Sequence, residues 1–285
     1  MTTAVAGLGD AALRALVSLL DDEDEASRAL VCARLRELLR DEPERLRACA
    51  AGIAGEAGVR FAELELECAF EGLDARWRAL CASPEAGLDL EAGLGLLCAY
   101  AEPGLPPGKV GSMLDALAEE MKWARTPRAE PLSVLHRYND FLFLQCGFQP
   151  DAADPHHPDN ARLDRTLERR RGSPLMLVAL YALVARRLGL AVSAVTLPGR
   201  ALALFETGRQ RFFIDPSRGG RVLTAAECEE EAARGGPRLQ SWQLLPASPR
   251  ALLSRAALAL VHAYARTGDR VRAERLSACQ RLLAS

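Results

Sequence analysis

Between Asn160 and Gly220 the chain carries NARLDRTLERRRGSPLMLVALYALVARRLGLAVSAVTLPGRALALFETGRQRFFIDPSRGG. A helix opening at Ser173-Pro174 is followed by strand-like runs that bear Arg200 and Asp215. A nucleophile at the first turn of a helix, a base on a following strand and a carboxylate on the next is the order required for acyl transfer through a covalent intermediate. The three positions here hold Pro174, Arg200 and Asp215. Proline offers no nucleophile, and a guanidinium cannot release and recover a proton near neutral pH. Only the carboxylate is suited to its role, so the order of residues describes an enzyme scaffold while their identities describe lost chemistry.

Ser173 before Pro174 is an N-cap followed by proline at the first helical position, a start that engages the serine oxygen and uses the fixed φ of proline. No histidine lies in the later strands to activate that hydroxyl. Arg200 and Asp215 are separated as expected for neighbouring antiparallel strands joined by a turn at Glu206–Gln210. They are expected to form a charge-assisted pair, bidentate if the strands face each other. Two other readings stay open: Arg200 recognises the carboxylate of a ligand, or it is solvated.

Four histidines are available for acid/base or metal chemistry. His136 and His262 sit in helical patterns. His156 and His157, with Asp151, Asp154 and Asp159, form the one cluster with metal-compatible ligand types. Neighbouring histidines in an extended loop point in opposite directions, so no metal site is expected. Eight cysteines are dispersed with no C-x-x-C pair, mostly among Ala and Leu at helical spacing, where a thiol fills space as a small apolar group.

The elements that must position these residues follow from periodicity. Leu and Ala recur at three- and four-residue spacing through the first 145 residues, which predicts helices at Leu13–Leu20, Ala26–Arg40, Pro43–Ala50, Phe61–Cys81, Leu90–Ala101, Lys109–Trp123 and Pro131–Gln145. The first two make a HEAT-like pair. Residues 147–158 read as a loop. After the helix at Pro174–Leu188, Gly189 is a stop signal, and AVSAVTL, ALALFE and RFFID predict a small antiparallel sheet packed on that helix. From Ser248 a helix pair broken at Arg266–Asp269 has the Ala, Tyr and Gly spacing of a tetratricopeptide-like unit, which must dock on its neighbours to bury its face.

With 36 basic and 38 acidic residues and a net charge of -2, nothing points to nucleic acid or an anionic membrane surface. The first 20 residues lack a basic stretch before an apolar one, and no apolar run reaches the roughly 18 residues of a spanning helix. A cytoplasmic location without a cofactor is expected.

The spacing is similar to that of papain-type and transglutaminase-type cores. More narrowly, Asn160, Leu163, Leu167, Glu168, Arg169, Arg170, Gly172, Pro174, Pro198, Gly199, Asp215, Pro216, Gly219 and Gly220 resemble the SirB-type transglutaminase-like family of bacteria. The acidic N-terminal helix pair, Asn139–Phe143 and the C-terminal helix pair extend that resemblance over most of the chain. The family's histidine after Pro-Gly is Arg200 here, and Ala201 and Ser217 stand for aromatic residues.

The resemblance implies a mostly helical α+β protein in three parts: a helical HEAT-like region at 1–130, a transglutaminase-like core with a short antiparallel sheet at 131–247, and a tetratricopeptide-like helix pair at 248–285. It implies a degenerate cleft whose candidate residues are Asn160, Arg169, Arg170, Ser173, Arg200 and Asp215. The expected function is a pseudoenzyme that binds an unknown protein partner as a scaffold or regulatory factor. The alternative is an amide or isopeptide hydrolase or acyl transferase using an unconventional nucleophile: Ser173, Cys146 or Cys228. A third reading has Arg200 and Arg169–Arg171 binding a small anion.

Overall fold

A computed structural model describes residues 8–121, 130–197, 199–208, 210–235 and 241–284 of the chain. Trp123 and Pro198, which the sequence reading used, lie outside the described residues. The chain divides into two compact units, residues 1–75 and 76–285; this cut lies elsewhere than at residue 130.

The first unit contains α1 (Asp10–Ser18), α2 (Glu25–Asp41), α3 (Pro43–Ala50) and most of α4 (Glu56–Cys81). Asp24 starts α2 by accepting a hydrogen bond from the Ser27 amide at 3.0 Å, and Pro43 starts α3 at a position where its missing N–H costs nothing. Leu13, Val17, Leu20, Leu35 and Leu46 are at most 2% exposed and form one core with Phe61 and Leu64.

The second unit contains α5 (Leu90–Ala101), α6 (Lys109–Met121), α7 (Pro131–Asn139), α8 (Leu163–Arg169), α9 (Pro174–Arg187), α10 (Ala225–Gly235), α11 (Pro249–Thr267) and α12 (Arg270–Ala284). Helix α7 runs on into a π-helical turn at Asp140–Gln145. Nine residues of α9 are buried, from Met176 to Ala185, which is the signature of a helix enclosed on all sides. The end of α4 belongs here: Trp77 is fully buried, and its indole N–H donates to the Cys279 carbonyl of α12 at 3.0 Å. Gly268, at φ +82°, ends α11 and turns the chain into α12.

Two short strands, β1 (Gln149–Pro150) and β2 (Arg171–Gly172), pair in parallel. The main sheet is antiparallel in the order β3 (Val192–Leu197), β4 (Arg200–Thr207), β5 (Gln210–Asp215) and β6 (Arg221–Leu223). The fold is therefore the expected mostly helical α+β arrangement with a small antiparallel sheet, but the sheet has a fourth strand and carries α10, neither of which was predicted. One sheet face, with Ala194 and Ala201, packs with Val178 of α9 and Leu252 of α11. The other, with Val195, Leu197, Leu202, Leu204, Phe213 and Leu223, packs on Cys228 of α10 and on Leu244.

Candidate functional site

Strand register decides where the charged residues go. Ala203 pairs with Ile214 and Asp215 pairs with Arg221. Alternation along each strand then puts Arg200, Asp215 and Arg221 on the face that carries Leu202, Leu204 and Phe213, the face covered by α10. Three adjacent strands thus each contribute one charged side chain to one corner of the sheet.

Those side chains are joined. Arg200 Nη2 donates to Asp215 Oδ2 and its Nη1 to Glu231 Oε2, each at 2.6 Å. Glu231 also accepts from Arg218 Nη1 at 3.1 Å and meets Arg221 Nη1 at 3.0 Å. Asp215 is 2% exposed, and its second oxygen accepts from the Ser217 amide at 3.0 Å. Arg200 is therefore not a bidentate partner of Asp215; its fork is divided between two carboxylates, because α10 brings Glu231 to the open side of the guanidinium. Burial opposes the Arg200 charge, but the hydrogen bonds to Asp215 and Glu231 outweigh it and hold its pKa above the ordinary arginine value. The hydrogen bond from Arg200 holds Glu231 below the usual carboxylate range.

Ser173 is the N-cap of α9: its Oγ accepts from the Met176 amide at 3.3 Å. Pro174 follows at the exposed first position of the helix. Neither makes a hydrogen bond or ion pair with Arg200 or Asp215. The two cysteines among the alternative nucleophiles have raised thiol pKa values. Burial pushes the Cys228 thiol up to about 11 and raises that of Cys146, so neither carries much thiolate near neutral pH.

The remaining cleft candidates form a separate cluster. Asn160 is 1% exposed; its amide donates to the Asp154 carbonyl at 2.6 Å, and its Oδ1 accepts from Arg169 Nη1 at 3.2 Å. Arg169 Nη2 binds Asp151 Oδ2 at 2.7 Å. The Asn160 carbonyl accepts from the Ser173 amide at 2.7 Å, which ties this cluster to the start of α9. Arg170 takes a left-handed backbone conformation and leaves in another direction, while Arg171 is exposed. His157 is engaged as a cap, its Nδ1 accepting from the Asp159 amide at 3.2 Å. Among the described residues no group of three His, Cys, Asp or Glu side chains is arranged to hold a metal ion.

Three paired polar residues were not singled out as site candidates by the sequence. Glu231 sits in the acidic run at Glu229–Glu231, whose only signal is its helical spacing from Cys228 and Glu227. Asn139, 6% exposed, donates to the Gly220 carbonyl at 2.7 Å and accepts from the Tyr181 hydroxyl at 2.8 Å, linking α7, α9 and the turn after Asp215. Asp164 is fully buried and accepts from Arg162 Nε and Nη2 at 3.1 and 2.6 Å; Arg162 also reaches Glu102 at 2.6 Å.

The central helix, the sheet beside it and the carboxylate ending β5 lie within residues 108–257, which match the family model described as the transglutaminase-like superfamily. The chain belongs to the transglutaminase-like superfamily. Among relatives of this superfamily member, a UPF0162 protein of Pseudomonas aeruginosa is 30% identical over 194 residues, covering 66% of this chain and 69% of the relative. A UPF0162 protein of Xylella fastidiosa (strain Temecula1) is 34% identical over 143 residues, 48% of this chain and 51% of the relative. The chain thus spans about half the length of the Xylella relative. F-box only protein 21 of Mus musculus is 31% identical over 104 residues, 34% of this chain and 17% of that protein. No solved structure matches the chain. No helix among the described residues is long and apolar enough to cross a membrane.

Proposed function

We propose that this transglutaminase-like protein is a SirB-type member that works without catalysis, binding a protein partner as a scaffold or regulatory factor through the corner around Arg200 and Asp215. One observation carries the reading: the residue at the base position is an arginine held between Asp215 and Glu231 at 2.6 Å from each. A fixed guanidinium cannot shuttle protons, and the only hydroxyl at the start of α9 is used as a cap. Half-exposed Arg218 and Arg221 flank the same corner and offer donors to a partner's acidic side chains.

The test has two arms. Serine- and thiol-directed active-site probes should leave the folded protein unlabelled; stoichiometric adducts at Ser173, Cys146 or Cys228 would restore the hydrolase or acyl transferase reading. Co-purification from the native cell should then compare wild type with Arg218→Glu/Arg221→Glu. Loss of a stoichiometric partner in the variant is expected, and retention of every partner by the variant moves binding away from this corner.

A further inference from the structure

Helix α12 turns Ala273, Leu276, Cys279 and Leu283 inward, all buried, and packs on α11 and α5. The periodicity of a helix then places Val271, Ala278 and Leu282 along one line on the opposite side. All three are exposed, Val271 by 58% and Leu282 by 38%. Their separation, seven residues and then four, is the spacing of a seam on which a second helix lies.

The charge around this strip is mostly positive. Helix α12 carries four arginines and one carboxylate, Glu274. Arg272 is committed elsewhere, to Asp269 at 2.5 Å and to the Ala101 carbonyl at 2.9 Å. Arg270 and Arg281 flank one edge of the strip; both are exposed, and neither guanidinium has a hydrogen bond or ion pair among the described residues. Arg275 borders the other edge. Exposed Glu274 shares this face with those three arginines and is outnumbered by them.

We propose that the outer face of α12 binds an acidic amphipathic helix of a partner protein, its apolar side chains on Val271, Ala278 and Leu282 and its carboxylates on Arg270 and Arg281. Charge complementarity selects this occupant, because the two exposed guanidinium forks match carboxylates and have none of their own. A second copy docked by the same face would set arginine against arginine. The face holds no Trp or Phe to seat it in a membrane interface. A helix suits it better than an extended segment, since the backbone of α12 is paired within the helix and offers no edge to a strand. This face is separate from the Arg200 corner and does not depend on how that corner functions.

Fluorescence anisotropy of the full chain with a stapled helical peptide tests the assignment; the peptide has leucine at heptad positions a and d and glutamate at e and g, and a second version has glutamine for glutamate. The glutamate peptide is expected to bind saturably, and the glutamine version about tenfold more weakly or worse. Arg270→Glu/Arg281→Glu and, separately, Val271→Ser/Leu282→Ser change only exposed side chains, so both should fold and each should weaken the glutamate peptide about tenfold or more. Glu274→Gln removes the one opposing charge and should tighten binding. Arg14→Glu reverses an exposed arginine on α1 and should leave it unchanged. Absence of saturable binding, equal binding by either double variant, weaker binding by Glu274→Gln, or an equal loss with Arg14→Glu overturns the proposal. Wild-type dimers in sedimentation that Val271→Ser/Leu282→Ser dissolves would give the face to a second copy, and tighter binding to phosphatidylserine vesicles than to the peptide would give it to a membrane; either result overturns it too.

Discussion

Arg200 Nη2 lies 2.6 Å from Asp215 Oδ2, and the same guanidinium reaches Glu231 at 2.6 Å on its other side. Asp215 is nearly fully buried, so its charge is matched inside the protein by this contact, the Ser217 amide and Arg218, whose Nε lies 3.6 Å away. Removing Arg200 leaves buried negative charge without its main partner. Arg200→Ala should cost about 2 to 3 kcal/mol in urea unfolding, moderated by Arg218 and Arg221. Arg200→Ala combined with Glu231→Gln should cost less than the sum of the two single changes; strict additivity would sever the proposed coupling.

The two glycines after β5 should respond unequally. A Cβ at Gly220 would lie 2.6 Å from the Phe143 ring and 2.7 Å from Asn139 Cγ, and its φ is +78°. Gly219 has φ +64° but nothing within 4 Å of such a Cβ. Gly219→Ala should cost about 1 kcal/mol for the backbone alone, and Gly220→Ala about 3 kcal/mol or more because crowding is added. Denaturant midpoints measured side by side check the order.

Tyr181→Phe deletes one oxygen and leaves Asn139 Oδ1 buried without its donor. A loss of about 1 to 2 kcal/mol follows from stranding that acceptor. Amide hydrogen exchange should quicken around Gly220, whose carbonyl is held by the same asparagine; unchanged exchange there would disconnect the two.

Asp164 and Glu231 both have pKa values below their ordinary values. Burial raises that of Asp164, and the Arg162 hydrogen bond overcomes it; at Glu231 the Arg200 hydrogen bond leads. For a depressed carboxyl pKa, the unfolded chain binds the proton more readily. The stabilisation is therefore present above the ordinary values of 3.8 and 4.5 and is lost as pH falls through the lower folded values. Unfolding free energy should be flat in its dependence on these two groups from pH 7 to about 5.5, then fall on acidification. Asp164→Asn combined with Glu231→Gln should be less stable at pH 7 and show a shallower acid limb.

The sequence made the helices legible because Leu and Ala keep a three- and four-residue rhythm, and Ser173-Pro174 announced the start of α9 through capping chemistry alone. The strands carrying Arg200 and Asp215 were legible from alternation, and their contact from separation. Strand β6 was not: three residues after a double glycine carry no measurable period. Helix α10 reads as a polar stretch around one buried cysteine, so Glu231 was invisible, and with it the division of the Arg200 fork. The Asn139–Gly220 bond spans 81 residues, beyond any local pattern. Arg169 and Arg170 looked alike in a run of arginines, yet the left-handed turn at Arg170 sends them to different neighbours, one to Asp151 and the other to Phe148.

The hydrogen bond from the Trp77 indole to the Cys279 carbonyl joins residues 202 positions apart. It sets an order of events during synthesis. The apolar partners of the first unit all lie between Leu8 and Cys68, so that core can assemble while translation continues. The bond from Trp77 cannot form until residue 279 has been made, so the contact that closes this part of the second unit comes late in the chain. A slow stretch of translation beyond residue 81 would delay that contact while leaving every residue of the first core already made.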